Sequence, residues 1–82
     1  MLHELKTWPP YFQAVVSGRK PFEVRKDDRD FKVGDRLLLR EWDPTLRHHT
    51  GRKVTCEITY KLDGGDFGVE VGYCVLGIAR VS

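Results

Sequence analysis

The sequence predicts a mainly β (α+β) fold, a small, partly open β-barrel of about five strands with one N-terminal helix covering an end. Three observations point there. Short runs of alternating apolar and polar residues recur from Phe22 onward, the pattern of half-buried strands. Gly and Asp punctuate those runs, as turns require. One helical apolar stripe precedes them, and no βαβ alternation follows. Barrel closure would also remove the unpaired strand edges on which short β-proteins aggregate.

Met1 to Thr7 reads as a leading strand or extended arm. A helix starts at Trp8-Pro9-Pro10, where a proline in the first turn sacrifices no hydrogen bond. Phe12, Val15 and Val16 form its apolar stripe, with Tyr11 beside them. Gly18 stops it and leaves Arg19 and Lys20 near its C-terminus. Phe22 to Arg25 is the next strand. Phe22 and Val24 are expected toward the core, with Glu23 and Arg25 on the polar face. The charged loop Asp27-Asp28-Arg29-Asp30 follows, with Phe31 plugging back into the core and Val33-Gly34-Asp35 as a turn.

Arg36 to Trp42 is the clearest strand. Leu37 and Leu39 share one face, and Leu38, Arg40 and Trp42 the other. Asp43-Pro44 ends it and Thr45 to Gly51 forms a polar hairpin tip. Lys53 to Leu62 returns with Val54, Cys56, Ile58 and Tyr60 on one face. Asp63-Gly64-Gly65-Asp66 is a turn. Gly72 to Val81 is the last strand, apolar on both faces and so expected inside the sheet, with Gly77 marking a bend or bulge.

Residues 1–82 suffice for a single domain with a thin core. The opening residues, with His3, Glu4 and Lys6, lack the apolar run of a signal peptide, and no stretch matches a membrane span. Cys56 and Cys74 lie in alternating runs and are expected to be reduced core thiols, which suits the cytoplasm. His48 and His49 with His3 lack metal-ligand spacing, so neither a metal nor a cofactor is expected. The net charge is +2, but the segment Arg19–Lys53 alone carries +4. This concentration fits a nucleic-acid footprint, although Lys26-Asp27-Asp28-Arg29-Asp30 also has the alternation of a self-paired surface.

The candidate site is Gly18-Arg19-Lys20-Pro21-Phe22-Glu23-Val24-Arg25. Lys20, Glu23 and Arg25 would meet at the barrel mouth. Arg25, Lys26, Arg29 and Arg40 would neutralise phosphate. Trp42 or Tyr73 would stack an unpaired base, and Glu23 would accept from an exocyclic amine. An RNA- or nucleotide-binding module is the first reading. A small hydrolase is the second, with Lys20 as base or nucleophile and Glu23 activating water. A module that docks to another protein is the third. The competing structural account makes Glu23 and Arg25 a surface ion pair and buries Tyr73 in the core.

Gly18-x-Lys20-x-x-Glu23-x-Arg25 after a short helix resembles the G-x-K-x-x-E-x-R signature of the ASCH (activating signal cointegrator homology) family, of the PUA-like superfamily. Asp28-Arg29-Asp30-Phe31, Val33-Gly34-Asp35, Arg40-Glu41-Trp42-Asp43-Pro44, Thr50-Gly51-Arg52 and Gly72-Tyr73-x-Val75-Leu76-Gly77-Ile78 resemble a short bacterial and phage branch known as a domain of unknown function. The resemblance implies a PUA-like pseudo-barrel with an RNA-binding cleft lined by the signature. Some ASCH-like enzymes remove the acetyl group of N4-acetylcytidine, using the signature Lys, a Thr three residues on and a Glu on a helical insertion. Lys20 matches that Lys. Glu23 stands at the Thr position, and the connection from Leu62 to Gly72 is too short for the insertion.

Overall fold

In the computed structural model, which describes residues 1–81, the chain runs through β1 (Leu2–Thr7), α1 (Pro9–Val16), β2 (Phe22–Lys26), β3 (Arg36–Asp43), β4 (His48–Asp63) and β5 (Tyr73–Arg80). The five strands make one sheet in the order β1-β3-β4-β5-β2, curled into a half-barrel. β1 runs parallel to β3, whereas every other neighbouring pair is antiparallel. The parallel pair requires a crossover, which α1 and β2 supply. The last strand, β5, lies inside the sheet between β4 and β2.

The inner face carries the core. Leu5 of β1, Leu37 and Leu39 of β3, Val54, Cys56 and Ile58 of β4, and Cys74, Leu76 and Ile78 of β5 alternate inward. Phe12 and Val15 of α1 close over them, and Phe31 plugs the β2–β3 loop into the same core. Burying one such side chain contributes about 1.5–3 kcal/mol, so Phe12 and Phe31 anchor segments that make few backbone bonds to the sheet. Both cysteines are free and buried. Burial pushes both thiols above their ordinary range, with the Glu23 charge adding to the effect at Cys56 and that of Asp27 at Cys74.

Four expectations are corrected. On β2 the faces are exchanged: Glu23 is 3% exposed, whereas Phe22 and Val24 are 41% and 53% exposed. Glu23 points inward because Lys20 and Arg25 meet its two oxygens there. Tyr60 faces outward, because the β4–β5 register shifts between Ile58 and Tyr60 and the inserted residue reverses the parity. That bulge lies opposite Gly77, where an added Cβ would come within 3.0 Å of Thr59 Oγ1. Tyr73 is exposed rather than core. The expected hairpin tip is shorter, since β4 already begins at His48.

The half-barrel leaves β1 and β2 as its edges, and two arginines span the gap. Arg25 Nη2 donates to the Lys6 carbonyl at 2.9 Å, and Arg29 Nη1 donates to the Glu4 carbonyl at 2.7 Å. Glu4 and Lys6 are two apart on the edge strand, so their carbonyls point the same way, away from β3. The guanidinium donors thus satisfy edge acceptors that another strand would otherwise take.

A candidate nucleotide-binding cleft at the barrel mouth

The end of α1 sets the geometry of the site. Gly18 takes a φ of +81°, a left-handed stop open to glycine. The backbone N–H groups of Arg19 and Lys20 then both donate to the Ala14 carbonyl, at 3.0 Å each. Lys20 is thereby turned toward the start of β2. Its Nζ donates to Glu23 Oε1 at 2.7 Å and to the Phe22 carbonyl at 2.9 Å. Arg25 Nε donates to Glu23 Oε2 at 3.0 Å, and Arg25 Nη2 also reaches Thr7 Oγ1 at 3.3 Å. A buried carboxylate thus lies between two cations, each still partly open to solvent.

This triad lies in a cleft of about 460 Å³ lined by Lys6, Thr7, Trp8, Tyr11, Lys20, Glu23, Val24 and Arg25. Trp8 and Tyr11 are half exposed, at 52% and 53%. Both belong to the helix start: Trp8 is its N-cap residue, and Tyr11 is off the buried stripe of Phe12 and Val15. A second depression of about 320 Å³ is lined by Glu4, Leu5, Lys6, Arg25, Arg29, Arg40 and His49. Lys6 and Arg25 line both, so the two form one basic passage across the seam between β1 and β2.

The expected site residues divide accordingly. Lys20, Glu23 and Arg25 meet in the cleft, and Arg29 and Arg40 line the adjoining depression. Lys26 is exposed and, by strand alternation, on the opposite face of β2 from Glu23 and Arg25, so the grouping of Lys26 with Arg25 is corrected. Trp42 is half-buried on the outer sheet face and lies outside the cleft lining. Lys6 Nζ sits 3.9 Å over its ring, and His49 packs edge-on at 5.0 Å. Tyr73 also lies outside that lining. Trp8, Tyr11, Lys6 and Thr7 were not singled out from sequence. The available signal was the break in periodicity at Trp8 and Tyr11, two aromatics at a helix start that no apolar stripe uses.

A second buried glutamate adjoins the site. Glu41 of β3 pairs in register with Thr7, accepts from Thr50 Oγ1 at 2.6 Å and lies 3.7 Å from Arg52. Arg52 also donates to Gln13 of α1, at 3.3 Å, which ties the helix to β4. Two further charge effects lie away from the cleft. The His3 ring hydrogen bond chiefly holds the Asp35 carboxyl down to about 2, helped by the α-amino group of Met1 and the Lys32 N–H. The Asp27 carboxylate, 2.8 Å away, raises the Lys61 ammonium above its usual range. Among the described residues no three His, Cys, Asp or Glu side chains converge as a metal site. Likewise no helix there is long and apolar enough to cross a membrane.

Residues 2–78 match the family described as Domain of unknown function (DUF3850). The chain belongs to that family. The matched span contains the whole cleft, from Lys6 to Arg25, and all five strands except the end of β5. A relative of this chain is the uncharacterized 12.9 kDa protein in the GpA 3' region of Escherichia phage P2. It is 42% identical over 66 residues, which are 80% of this chain and 59% of that protein. The aligned part therefore spans little more than half of the phage protein.

Proposed function

We propose that this DUF3850 domain binds RNA or a nucleotide, receiving one unpaired base in the cleft at the end of α1. The observation that carries this reading is the buried Glu23 carboxylate, clasped by Lys20 and Arg25 on the floor of a cleft walled by half-exposed Trp8 and Tyr11. A base has a π-face and a polar edge, and the cleft offers a match for each. Trp8 or Tyr11 stacks the ring, a contact worth about 1–3 kcal/mol per base. Glu23 accepts from an exocyclic amine, and Lys20 or Arg25 donates to a ring carbonyl. Arg29 and Arg40 in the adjoining depression then face the flanking phosphates. The ASCH and PUA-like resemblance supports the same reading, because its signature residues Lys20, Glu23 and Arg25 converge on this cleft.

Hydrolysis of an acylated nucleoside is the less favoured alternative. Lys20 is engaged as a donor to two acceptors, whereas a base or nucleophile needs the amine lone pair.

The test is an NMR titration of the labelled domain with cytidine, N4-acetylcytidine, single-stranded RNA and duplex RNA, with product followed in the same tubes. Binding predicts shifts centred on Trp8, Tyr11, Lys20, Glu23 and Arg25 without turnover. Release of acetate would establish the hydrolase instead. No shifts at these residues with any ligand would overturn the nucleotide reading.

A further inference from the structure

Register places three cations in one row across the outer face of the sheet: Lys6 on β1, Arg40 opposite it on β3, and Lys53 opposite Arg40 on β4. Their strand neighbours Leu5, Leu39 and Val54 are buried, so all three point away from the core. Like charges directly opposite one another on adjacent strands disfavour folding. Such rows are ordinarily relieved by a facing carboxylate. Here, among the described residues, none of the three makes an ion pair. Glu4 lies on the same face two positions before Lys6, but the residue opposite it is Leu38. Every other lysine or arginine of the cleft has a protein acceptor: Lys20 and Arg25 bind Glu23, and Arg29 binds the Glu4 carbonyl. Among the lysines and arginines that line the cleft and its adjoining depression, Lys6 and Arg40 are therefore the two without a protein acceptor, and Lys53 extends their line on β4.

We propose that this row is a track for the phosphodiester backbone of a single-stranded nucleic acid whose base enters the cleft. The proposal rests on the cleft reading for the base and adds a separate place for the chain. Three adjacent strands span roughly 10 Å, the reach of two or three consecutive phosphates. Lys6 joins the two regions, since it lines the cleft and begins the row. Its ammonium also covers the Trp42 ring at 3.9 Å. A phosphate that draws Lys6 aside opens the indole face to a second base, so the track supplies stacking as well as charge.

The experiment compares the parent with the Lys53→Ala variant, whose residue lines neither the cleft nor the adjoining depression. Binding of a short oligouridylate and of the matching oligothymidylate is followed by anisotropy over a salt series, and binding of cytidine monophosphate by fluorescence. Thermal melts check folding, and removal of a facing like charge should leave the variant at least as stable. Single-strand binding loses about 0.7 in log–log salt slope per phosphate contact, so the variant should lose about that one increment. Its mononucleotide affinity should stay that of the parent. Trp42 emission, isolated by Trp8→Phe, should respond to the oligomer and not to the mononucleotide. The two oligomers distinguish RNA from DNA as the source of the backbone, and a lowered slope with either supports the track. An oligomer bound by the variant with the parent's affinity and slope overturns the track and leaves the cleft reading standing. A parent that binds oligomer with the expected slope but no mononucleotide overturns the cleft reading instead.

Discussion

Glu23→Gln tests the centre of the site most directly. The carboxylate is 3% exposed and accepts from Lys20 at 2.7 Å and Arg25 at 3.0 Å. Each bond to a charged group contributes about 1.5–3 kcal/mol net. Gln keeps one acceptor but turns an amide NH2 toward a cation, so about one such bond is lost and one donor faces another. The loss is softened because Lys20 and Arg25 are 18% and 25% exposed and reach water, and Arg25 keeps the Lys6 carbonyl. The cost should therefore be about 2 kcal/mol, below the roughly 3–5 kcal/mol of breaking a fully buried pair. In a domain of this size that lowers the melting temperature by about 8–16 °C. Urea titration followed by far-ultraviolet circular dichroism measures it, and an unchanged m-value confirms that the denatured state is unaffected. Lys20→Met should cost less in the Glu23→Gln background than in the parent, because the two share one interaction. A loss under about 0.5 kcal/mol, the range of ordinary surface substitutions, would refute the claim that this carboxylate is an internal anchor.

Gly18→Val should destabilise by at least about 1–2 kcal/mol, because a Cβ at a φ of +81° clashes with its own backbone although no other atom lies within 4 Å. Gly18→Asn should lose less, and equal losses in chemical denaturation would contradict a conformational cause. The Asp35 carboxyl, lowered from 3.8 to about 2, contributes stability that is fully present above pH 3.8 and lost as pH falls through 2. Asp35→Asn should remove that acid limb, and an unchanged limb in pH-dependent melts would assign it elsewhere. Cys56 and Cys74, buried and with thiols raised by burial, should react with a thiol reagent only after denaturation. Rapid native labelling would show that the core opens locally.

Where hydrophobic alternation ran uninterrupted, the sequence disclosed the structure. Leu37 and Leu39, Val54, Cys56 and Ile58, and Cys74, Leu76 and Ile78 all face the core as their period of two requires. Phe31 stood out as an apolar residue in a charged loop and is indeed a plug. Two failures have separate causes: alternation leaves the absolute orientation of a strand open, and a bulge breaks the alternation itself. On β2, apolar-inward was the natural assignment, yet two cations meeting Glu23 reverse it. On β4, one inserted residue beside Gly77 turns Tyr60 outward. The parallel pairing of β1 with β3 depends on a long-range register that no local motif encodes. The charged members of the site were legible as a compact motif, whereas its aromatic wall was not. Trp8 and Tyr11 gain their meaning only when α1 folds over the mouth beside Thr7.

The two seam arginines constrain how any ligand uses the site. Arg25 holds Glu23, the Lys6 carbonyl and Thr7, and Arg29 holds the Glu4 carbonyl. A phosphate that captured either guanidinium outright would release edge acceptors of β1 and loosen the half-barrel, so part of its binding free energy would go into opening the seam. Cations without such partners face no competing demand. Phosphate affinity should therefore fall more per charge removed at Arg40 or Lys53 than at Arg29, while stability should fall more at Arg29. Measuring both quantities on the single alanine variants separates the two roles. A reversed order, with Arg29→Ala losing most affinity at unchanged stability, would make the seam a ligand site first and a closure second.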